Sequence, residues 1–435
     1  MDKRRAYDSL RRISGDKRLL AIACVAVLIV TGVLLTRSIL IYNNLFGMYH
    51  DDGIYDVCAK ALSNGSGYRI VSLPGEPWQT KYPIGFPLWL SLFWKLEQQF
   101  PANLVLMECF QAFLAVLSML SVVLYLVATR KVTWALALTI FAACVLNKRF
   151  IDFAPMLMSD LPCTCFIGLC FFLAEKLAKG LFKSGGAAAL GASIGLAMLV
   201  RTQAIVIAAG SFFCLLLRRR FRPALIAMGT AGLFVLPQMM WQASHQNREL
   251  TFFSFYTNYM QHAYQTLPGE KQKLDAALAA NMNWAGYLQI NTYYPFIESI
   301  PYQSLPPLVF ELIYKLGYAW LGLPLMAGGA YHFFSGQLPA LYLWFYSACL
   351  FFWPAKLEWR HILPVLPLAY YYYFVGFRFI AKRLKPLFPD REKYAFTCAV
   401  LAIIYGSYLT FGAGAESFAR FIETGLSPPA KLKTT

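Results

Sequence analysis

Residues 1–18 carry Lys3, Arg4, Arg5, Arg11, Arg12, Lys17 and Arg18, and an apolar run of 23 residues, Leu19 to Ile41, follows at once. This pairing constrains the fold more than any other feature of the sequence. A helix rises about 1.5 Å per residue, so such a run covers a hydrocarbon layer of about 30 Å. A secretory signal has a shorter apolar core and a small-residue cleavage site, so the run reads as an uncleaved spanning anchor. Further apolar segments fall near 102–128, 132–146, 161–178, 185–200, 203–217, 223–242, 306–330, 338–354, 362–380 and 394–412, which makes eleven. Of the 435 residues, 58% are hydrophobic and 14% charged, whereas soluble domains are roughly 25% charged. A string of soluble domains is excluded. The expectation is an all-α, polytopic integral membrane protein with about eleven transmembrane helices in one membrane domain.

The net charge of +17 would suggest nucleic acid in a soluble chain. Its placement says otherwise. Arg130 and Lys131, then Lys176, Lys179 and Lys183, then Arg218, Arg219, Arg220 and Arg222, then Arg378, Lys382, Arg383, Lys385, Arg391 and Lys393 fall in every second loop between spans, and so on one side of the membrane. With the N-terminal group they make up more than half of the 39 Lys and Arg. Short loops rich in Lys and Arg stay cytoplasmic, so the N-terminus is expected inside and nucleic acid is not an expected partner. Segments 42–101, 147–160, 243–305 and 355–361, and the C-terminal tail, are then expected outside.

Two outside segments are long. The first places Ile54, Val57, Cys58, Ala61 and Leu62 on one helical face before the turn Ser63-Asn64-Gly65-Ser66-Gly67. A second half-apolar stretch, Pro83 to Leu96, is too short to span, and both suit helices lying in the outer interface. The second long segment is rich in Asn, Gln, Tyr and Trp, including Tyr256, Asn258, His262, Asn283, Trp284 and Tyr294. Such residues suit either sugar contact or an ordinary interfacial belt. Nine of the ten cysteines fall in or beside apolar runs and read as small hydrophobes, with Cys58 alone in an expected loop. No CxxC pair occurs, so no zinc site is expected.

Polar chemistry gathers on the expected outer side. Asp51 and Asp52 open the first amphipathic stretch, and Ser159-Asp160 precedes a spanning run. Acidic residues there can simply serve a helix N-terminus. They can equally supply a base where a lipid-borne donor meets a water-borne hydroxyl, and Asp152 is expected to converge with them. Lys81, Arg201, Arg360 and His361 face the same side. Each alone could be a snorkelling anchor, but together they suit a phosphate clamp.

The segments Asp51-Asp52-Gly53-Ile54-Tyr55, Lys81-Tyr82-Pro83-Ile84-Gly85-Phe86-Pro87-Leu88, Ser159-Asp160, Arg201 and Arg360-His361-Ile362-Leu363-Pro364 occur in an order, and on a side of the membrane, that resembles the C-type (GT-C) fold of membrane glycosyltransferases. That group includes lipid A aminoarabinose transferases and protein O-mannosyltransferases. The resemblance covers roughly residues 20–220 and 356–368. It implies a catalytic base at Asp51, with Asp52 standing where the family often has Glu, so which carboxylate is the base stays open. It implies a second acidic position at Asp160 and donor-phosphate contacts from Lys81 and from Arg360 or His361; Arg201 is expected to join Lys81, Arg360 and His361 at the phosphate, and Tyr55, Tyr82 and Glu358 are expected to contact the substrate. Many members carry a soluble domain after the membrane part, whereas about twenty residues follow the last expected span here.

The organisation expected is a basic N-terminus over 1–18, a catalytic membrane module over 19–242, an outer loop over 243–305, spanning helices over 306–412 and a tail over 413–435. The implied activity is inverting transfer of a sugar from a polyprenyl-phosphate donor to a hydroxyl of a glycolipid, a glycan or a protein, at the outer face of a bacterial inner membrane. No cofactor is firmly implied. Asp51, Asp52 and Asp160 could hold Mg²⁺ or Mn²⁺ through oxygen, but the acidic pair lacks DxD spacing and a monophosphate donor is already met by cations. Two rivals are an oligosaccharide ligase or polymerase, and a lipid-linked-sugar transporter. The early Asp51-Asp52 pair disfavours the first. A transporter concentrates ionisable groups near the midplane of paired repeats, and no repeat is visible.

Overall fold

The computed structural model describes residues 17–42, 46, 47, 49–129, 131–245, 324–352 and 359–384. It is built from helices: α1 (Lys17–Tyr42), α2 (Asp51–Ser63), α3 (Gly85–Leu96), α4 (Ala102–Ala128), α5 (Trp134–Val145), α6 (Lys148–Phe153), α7 (Asp160–Ala178), α8 (Ser184–Val200), α9 (Ile205–Leu217), α10 (Phe221–His245), α11 (Leu338–Phe351) and α12 (Leu366–Leu384). Residues 324–334 are also helical. Among the described residues, β-pairing is confined to one antiparallel bridge, Arg69 with Trp78. The chain is an all-α, multi-pass membrane protein.

Four helices, α1, α4, α7 and α10, are long and apolar enough to cross a membrane, and α5, α8, α9 and α11 are shorter apolar helices. The expected spans match these within a few residues, except that the segment expected over 362–380 begins as a 3₁₀ turn, Trp359–Val365, before α12. Pro364 and Pro367 account for the delay, because a proline cannot donate to the preceding turn. The parts of the expected spans at 306–323 and 394–412, the outer segment 246–305 and the tail lie outside the described residues.

Helix packing relies on small residues, as it does where lipid removes the hydrophobic drive between helices. A Cβ at Gly168 of α7 would overlap the backbone of Ser121 on α4, and Gly191 and Gly195 of α8 sit against Ala227 and Phe234 of α10. α1 behaves differently: only 11% of its most apolar window is buried, so it stands at the lipid edge.

The two ends of the bundle differ in chemistry. At one end Glu175 accepts from Tyr125 Oη at 2.6 Å and pairs with Lys131 at 3.4 Å and Lys179 at 2.8 Å. There Lys131 Nζ also donates to Gln337 at 3.4 Å, Arg218 to the Ser335 carbonyl at 3.5 Å and Arg220 to the Ala178 carbonyl at 3.4 Å. These bonds bring the ends of α4, α7, α9 and the start of α11 to one level. From that level α4 has the length to reach about 40 Å, α7 and α8 between about 25 and 29 Å, and α9 and α11 about 20 Å. By length, the turns that hold Ser159 and Arg201, at the far ends of α7 and α8, stop short of the far end of α4.

Cys58 sits on α2, the helix expected of its amphipathic stretch in the segment 42–101, and is fully buried. One expectation changes here. Asp152, expected to converge with Asp51, instead pairs with Lys148 at 2.6 Å on the half-exposed α6. A lysine one helical turn away on the same element meets its charge, as i,i+4 neighbours do.

Gly85 places the Lys81 loop. A Cβ there would lie 2.6 Å from the Leu199 carbonyl oxygen, at the end of α8 beside Arg201. Gly85→Ala is expected to cost about 1–3 kcal/mol through overpacking of backbone on backbone. Gly229→Ala, on an open face of α10 with nothing within 4 Å, is expected to be neutral. Thermal unfolding of the two variants in detergent checks the contrast.

Candidate active site

Asp51 and Asp52 occupy the first turn of α2, where the positive end of the helix favours carboxylates. Consecutive helical residues point about 100° apart, and the structure sends the two side chains to different neighbourhoods. Asp51 Oδ1 accepts a short hydrogen bond from the Tyr82 hydroxyl, and Oδ2 accepts from Arg360 Nη1 at 3.2 Å. Asp52 turns back into the protein. Its Oδ2 accepts from Tyr42 Oη at 2.5 Å and from the Gly47 N–H at 2.9 Å, and its Oδ1 from the Gly53 N–H at 2.9 Å.

Two elements flank Asp51. The Lys81 loop is fixed from within by Gln79, whose Oε1 accepts the Lys81 N–H at 2.7 Å, and from α10 by Gln242 Nε2, which donates to the Thr80 carbonyl at 3.0 Å. Tyr68 Oη adds bonds to the Tyr82 and Pro83 carbonyls at 3.1 and 3.2 Å. Lys81 Nζ lies 4.7 Å from the Tyr82 ring centroid. The 3₁₀ turn at Trp359–Val365 supplies Arg360, which also meets Met158 Sδ at 3.4 Å. Gln111 on α4 holds Met158 in place through its carbonyl at 2.8 Å.

A second charged pair lies alongside. Asp160, the first residue of α7, has a fully buried side chain and accepts from Arg201 Nη1 at 2.8 Å. Arg201 sits in extended backbone at the break between α8 and the 3₁₀ turn Thr202–Ala204, which frees its side chain from both helices. It also donates to Ser159 Oγ at 3.1 Å and, through Nε, to Gln203 at 2.8 Å. Ser159 Oγ and Tyr55 Oη are 3.0 Å apart, and the Tyr55 ring packs 4.9 Å from that of Tyr82. Ser159 and Tyr55 therefore join the Asp160–Arg201 pair to the Asp51–Tyr82–Arg360 group.

The electrostatics follow from this geometry. Burial works against a charge on Asp51, but the Arg360 guanidinium, the Lys81 ammonium and the Tyr82 hydroxyl outweigh it and hold the carboxyl below its ordinary range. Burial pushes the Lys81 ammonium down to about 8, opposed by Asp51 and reinforced by Arg360. Burial and the Asp51 charge keep Tyr82 protonated, so its hydroxyl is a donor. Asp56, on another face of α2, accepts from Trp94 Nε1 at 2.8 Å and ties α2 to α3. Burial raises its carboxyl to about 6.

Asp51, Tyr55, Lys81, Tyr82, Asp160, Arg201 and Arg360 are thus brought together. Asp52 is not directed at this group. His361 is buried, with its backbone carbonyl accepting from Tyr346 Oη at 2.8 Å. Glu358 lies outside the described residues. Among the described residues no three His, Cys, Asp or Glu side chains gather as a metal would require. The residues missed by the sequence reading are Gln79, Gln203, Met158 and Tyr42. Gln203 and Gln79 stand two residues from Arg201 and Lys81, the one local signal that could have marked them.

No family model matches the chain, and no curated protein does. Solved structures similar to it include ArnT from Cupriavidus metallidurans bound to undecaprenyl phosphate, with a TM-score of 0.49 and 13% identity over 89% of this chain and 75% of that one. They also include the archaeal oligosaccharyltransferase AglB from Archaeoglobus fulgidus in complex with an inhibitory peptide and a dolichol-phosphate, with a TM-score of 0.45 and 13% identity over 88% of this chain and 55% of that one.

Proposed function

We propose that the chain is an inverting glycosyltransferase of the C-type fold, which moves a sugar from a polyprenyl-phosphate donor to an acceptor hydroxyl. The observation that carries this reading is the Asp51 carboxylate, held ionised beside Arg360 and Lys81 at the end of the bundle opposite the basic inner cluster. The order of the motifs along the chain supports it as well. In the proposed topology that end faces away from the cytoplasm of a bacterial inner membrane.

In the reaction the acceptor oxygen attacks the anomeric carbon, the bond from that carbon to the phosphate oxygen breaks, and Asp51 takes the acceptor's proton. A sugar phosphodiester carries one negative charge, while the departing monophosphate, with a second pKa of about 6, carries nearly two at neutral pH. Cations placed at the phosphate therefore stabilise the transition state more than the ground state. Lys81 and Arg360 are assigned this role. Arg201, already paired with Asp160, and His361 complete the phosphate end, and Tyr55 and Tyr82 line the approach. The reading assigns no metal, because Lys81 and Arg360 bring positive charge to the phosphate themselves. The acceptor is a glycolipid, a glycan or a protein.

The Lys81 ammonium gives a pH signature. A lysine supplies its charge below its pKa, so kcat/KM for the donor is expected to be flat near neutrality and to fall as pH rises through about 8. Lys81→Arg is expected to move that limb beyond the working range, because a guanidinium stays charged. Initial rates across pH 6–10, with the protein reconstituted in nanodiscs, check both curves. An unchanged limb in Lys81→Arg would remove Lys81 from the phosphate site.

A further inference from the structure

We propose that Asp52 is a positioning residue: with Tyr42 it clasps the outer end of α1 to the first turn of α2 and so fixes the aim of Asp51. The inference rests on the transfer reading above and deepens it, by separating the two members of an acidic pair that the sequence leaves equivalent.

Four observations carry it. Asp52 is fully buried, and its two oxygens receive three protein donors, from Tyr42, Gly47 and Gly53, at 2.5–2.9 Å. A carboxylate satisfied in this way is built to hold backbone in place, and it has no open face toward an acceptor hydroxyl. Tyr42 is the last residue of α1 and is itself 2% exposed, although most of α1 faces lipid. The outer end of α1 is therefore anchored by a few polar contacts, of which the Tyr42–Asp52 bond and the bond from Ser38 Oγ to the Ile151 carbonyl at 2.7 Å are two.

One backbone position before α2 is strained as well: His50, the residue directly before Asp51, has φ 57° and ψ −47°, while at Gly47 a φ of 88° is met by glycine. A non-glycine residue persists in such a conformation only where its surroundings over-determine it. Here the bonds from residues 42 and 47 to residue 52 close a ring around it. Loss of the clasp would let the turn relax, and the residue next in line is Asp51. Its partners, Tyr82 and Arg360, come from two other segments and require it at one place.

The test separates aim from chemistry. A base is lost equally in Asp52→Asn and Asp52→Ala, whereas a clasp is largely kept by Asn, whose carbonyl oxygen still accepts from Tyr42. In the full-length protein in nanodiscs, Asp52→Asn is expected to keep kcat within about tenfold of the unaltered protein, while Asp52→Ala loses about 100-fold, the penalty of a displacement near 1 Å. Tyr42→Phe is expected to lose about tenfold, with KM for the donor unchanged within a factor of two, and Tyr42→Phe combined with Asp52→Ala no more than Asp52→Ala alone. Equal, near-complete loss in Asp52→Asn and Asp52→Ala, or full activity in Asp52→Ala, would overturn the assignment.

A readout without turnover keeps the clasp testable should the protein transfer no sugar at all, the result that would instead defeat the proposed function. Asp51→Cys labelled by a membrane-impermeant maleimide, followed by peptide mass, is expected to react several-fold faster when Tyr42→Phe is added. An unchanged labelling rate would overturn the clasp.

Discussion

Asp51→Asn is expected to lower sugar transfer on the order of 10³-fold, the scale of a lost general base, while the protein still inserts and folds. The two expectations come from the same geometry. Asparagine has the same shape and keeps an acceptor for the Tyr82 hydroxyl, so the contacts around α2 survive. It cannot take a proton, and it removes the charge that faces Arg360 at 3.2 Å. The pair is more open than Asp160–Arg201, with Asp51 at 21% side-chain exposure against 0% for Asp160, and the isosteric amide still accepts from its neighbours, so its loss costs less stability than breaking the fully buried carboxylate's pair. Initial rates and thermal unfolding of the same purified samples check the two parts together. A variant inactive because it is unfolded would show itself in the second measurement.

The second large effect is expected in stability. Arg201→Met removes the partner of a carboxylate whose side chain is fully buried and leaves the Asp160 charge uncompensated. Breaking such a pair from one side costs about 3–5 kcal/mol. Among the described residues Asp160 Oδ1 has no hydrogen-bond partner, so the carboxylate leans on the Arg201 guanidinium at its other oxygen. Arg201→Met with Asp160→Leu is expected to recover most of the lost stability, because two apolar groups replace a broken pair, and to recover no transfer. Arg201→Lys is expected to fall between. A point charge can meet Asp160, but it cannot also reach Ser159 and Gln203 from one planar fork. Unfolding midpoints in detergent for the four proteins test the order. If Arg201→Met proved as stable as the unaltered chain, the pair would not be holding α7 to the break between α8 and α9.

Much of the frame was legible before any coordinates. Apolar runs of the right length give spanning helices almost without regard to detail, because the bilayer leaves the backbone few alternatives. The Leu19–Ile41 run and the segments at 102–128 and 161–178 show this directly. Loop charges marked the basic end, and the structure gathers Lys131, Lys179, Arg218 and Arg220 there. The acidic and basic residues of the other end were legible as a set for the same reason: a charge beside a span needs a partner or water.

The division of labour within that set was not legible. Asp51 and Asp52 are chemically identical, and only the 100° turn between them, set against the positions of Tyr42 and Arg360, separates a carboxylate facing cations from one sealed by hydroxyl and amide donors. Those partners lie 10 residues from Asp52 and 309 from Asp51, and no local pattern encodes the longer distance. The misplacement of Asp152 has the same origin. Lying on the expected outer side made convergence plausible, but a lysine one turn away on a short helix meets its charge. Gly85 gives the converse case, since its motif was visible while its role in seating the Lys81 loop against Leu199 depends on a contact 114 residues distant.

The central claim is that Asp51 is the base of a transfer that releases polyprenyl monophosphate. The most direct measurement incubates the protein in nanodiscs with a polyprenyl-phosphate sugar and an acceptor glycolipid, and follows released polyprenyl monophosphate and the anomeric configuration of the product by mass spectrometry and NMR. The account predicts equal amounts of monophosphate and glycosylated acceptor, an inverted anomeric centre, and loss of both products in Asp51→Asn. Full turnover by Asp51→Asn, or a product with retained configuration, would contradict it.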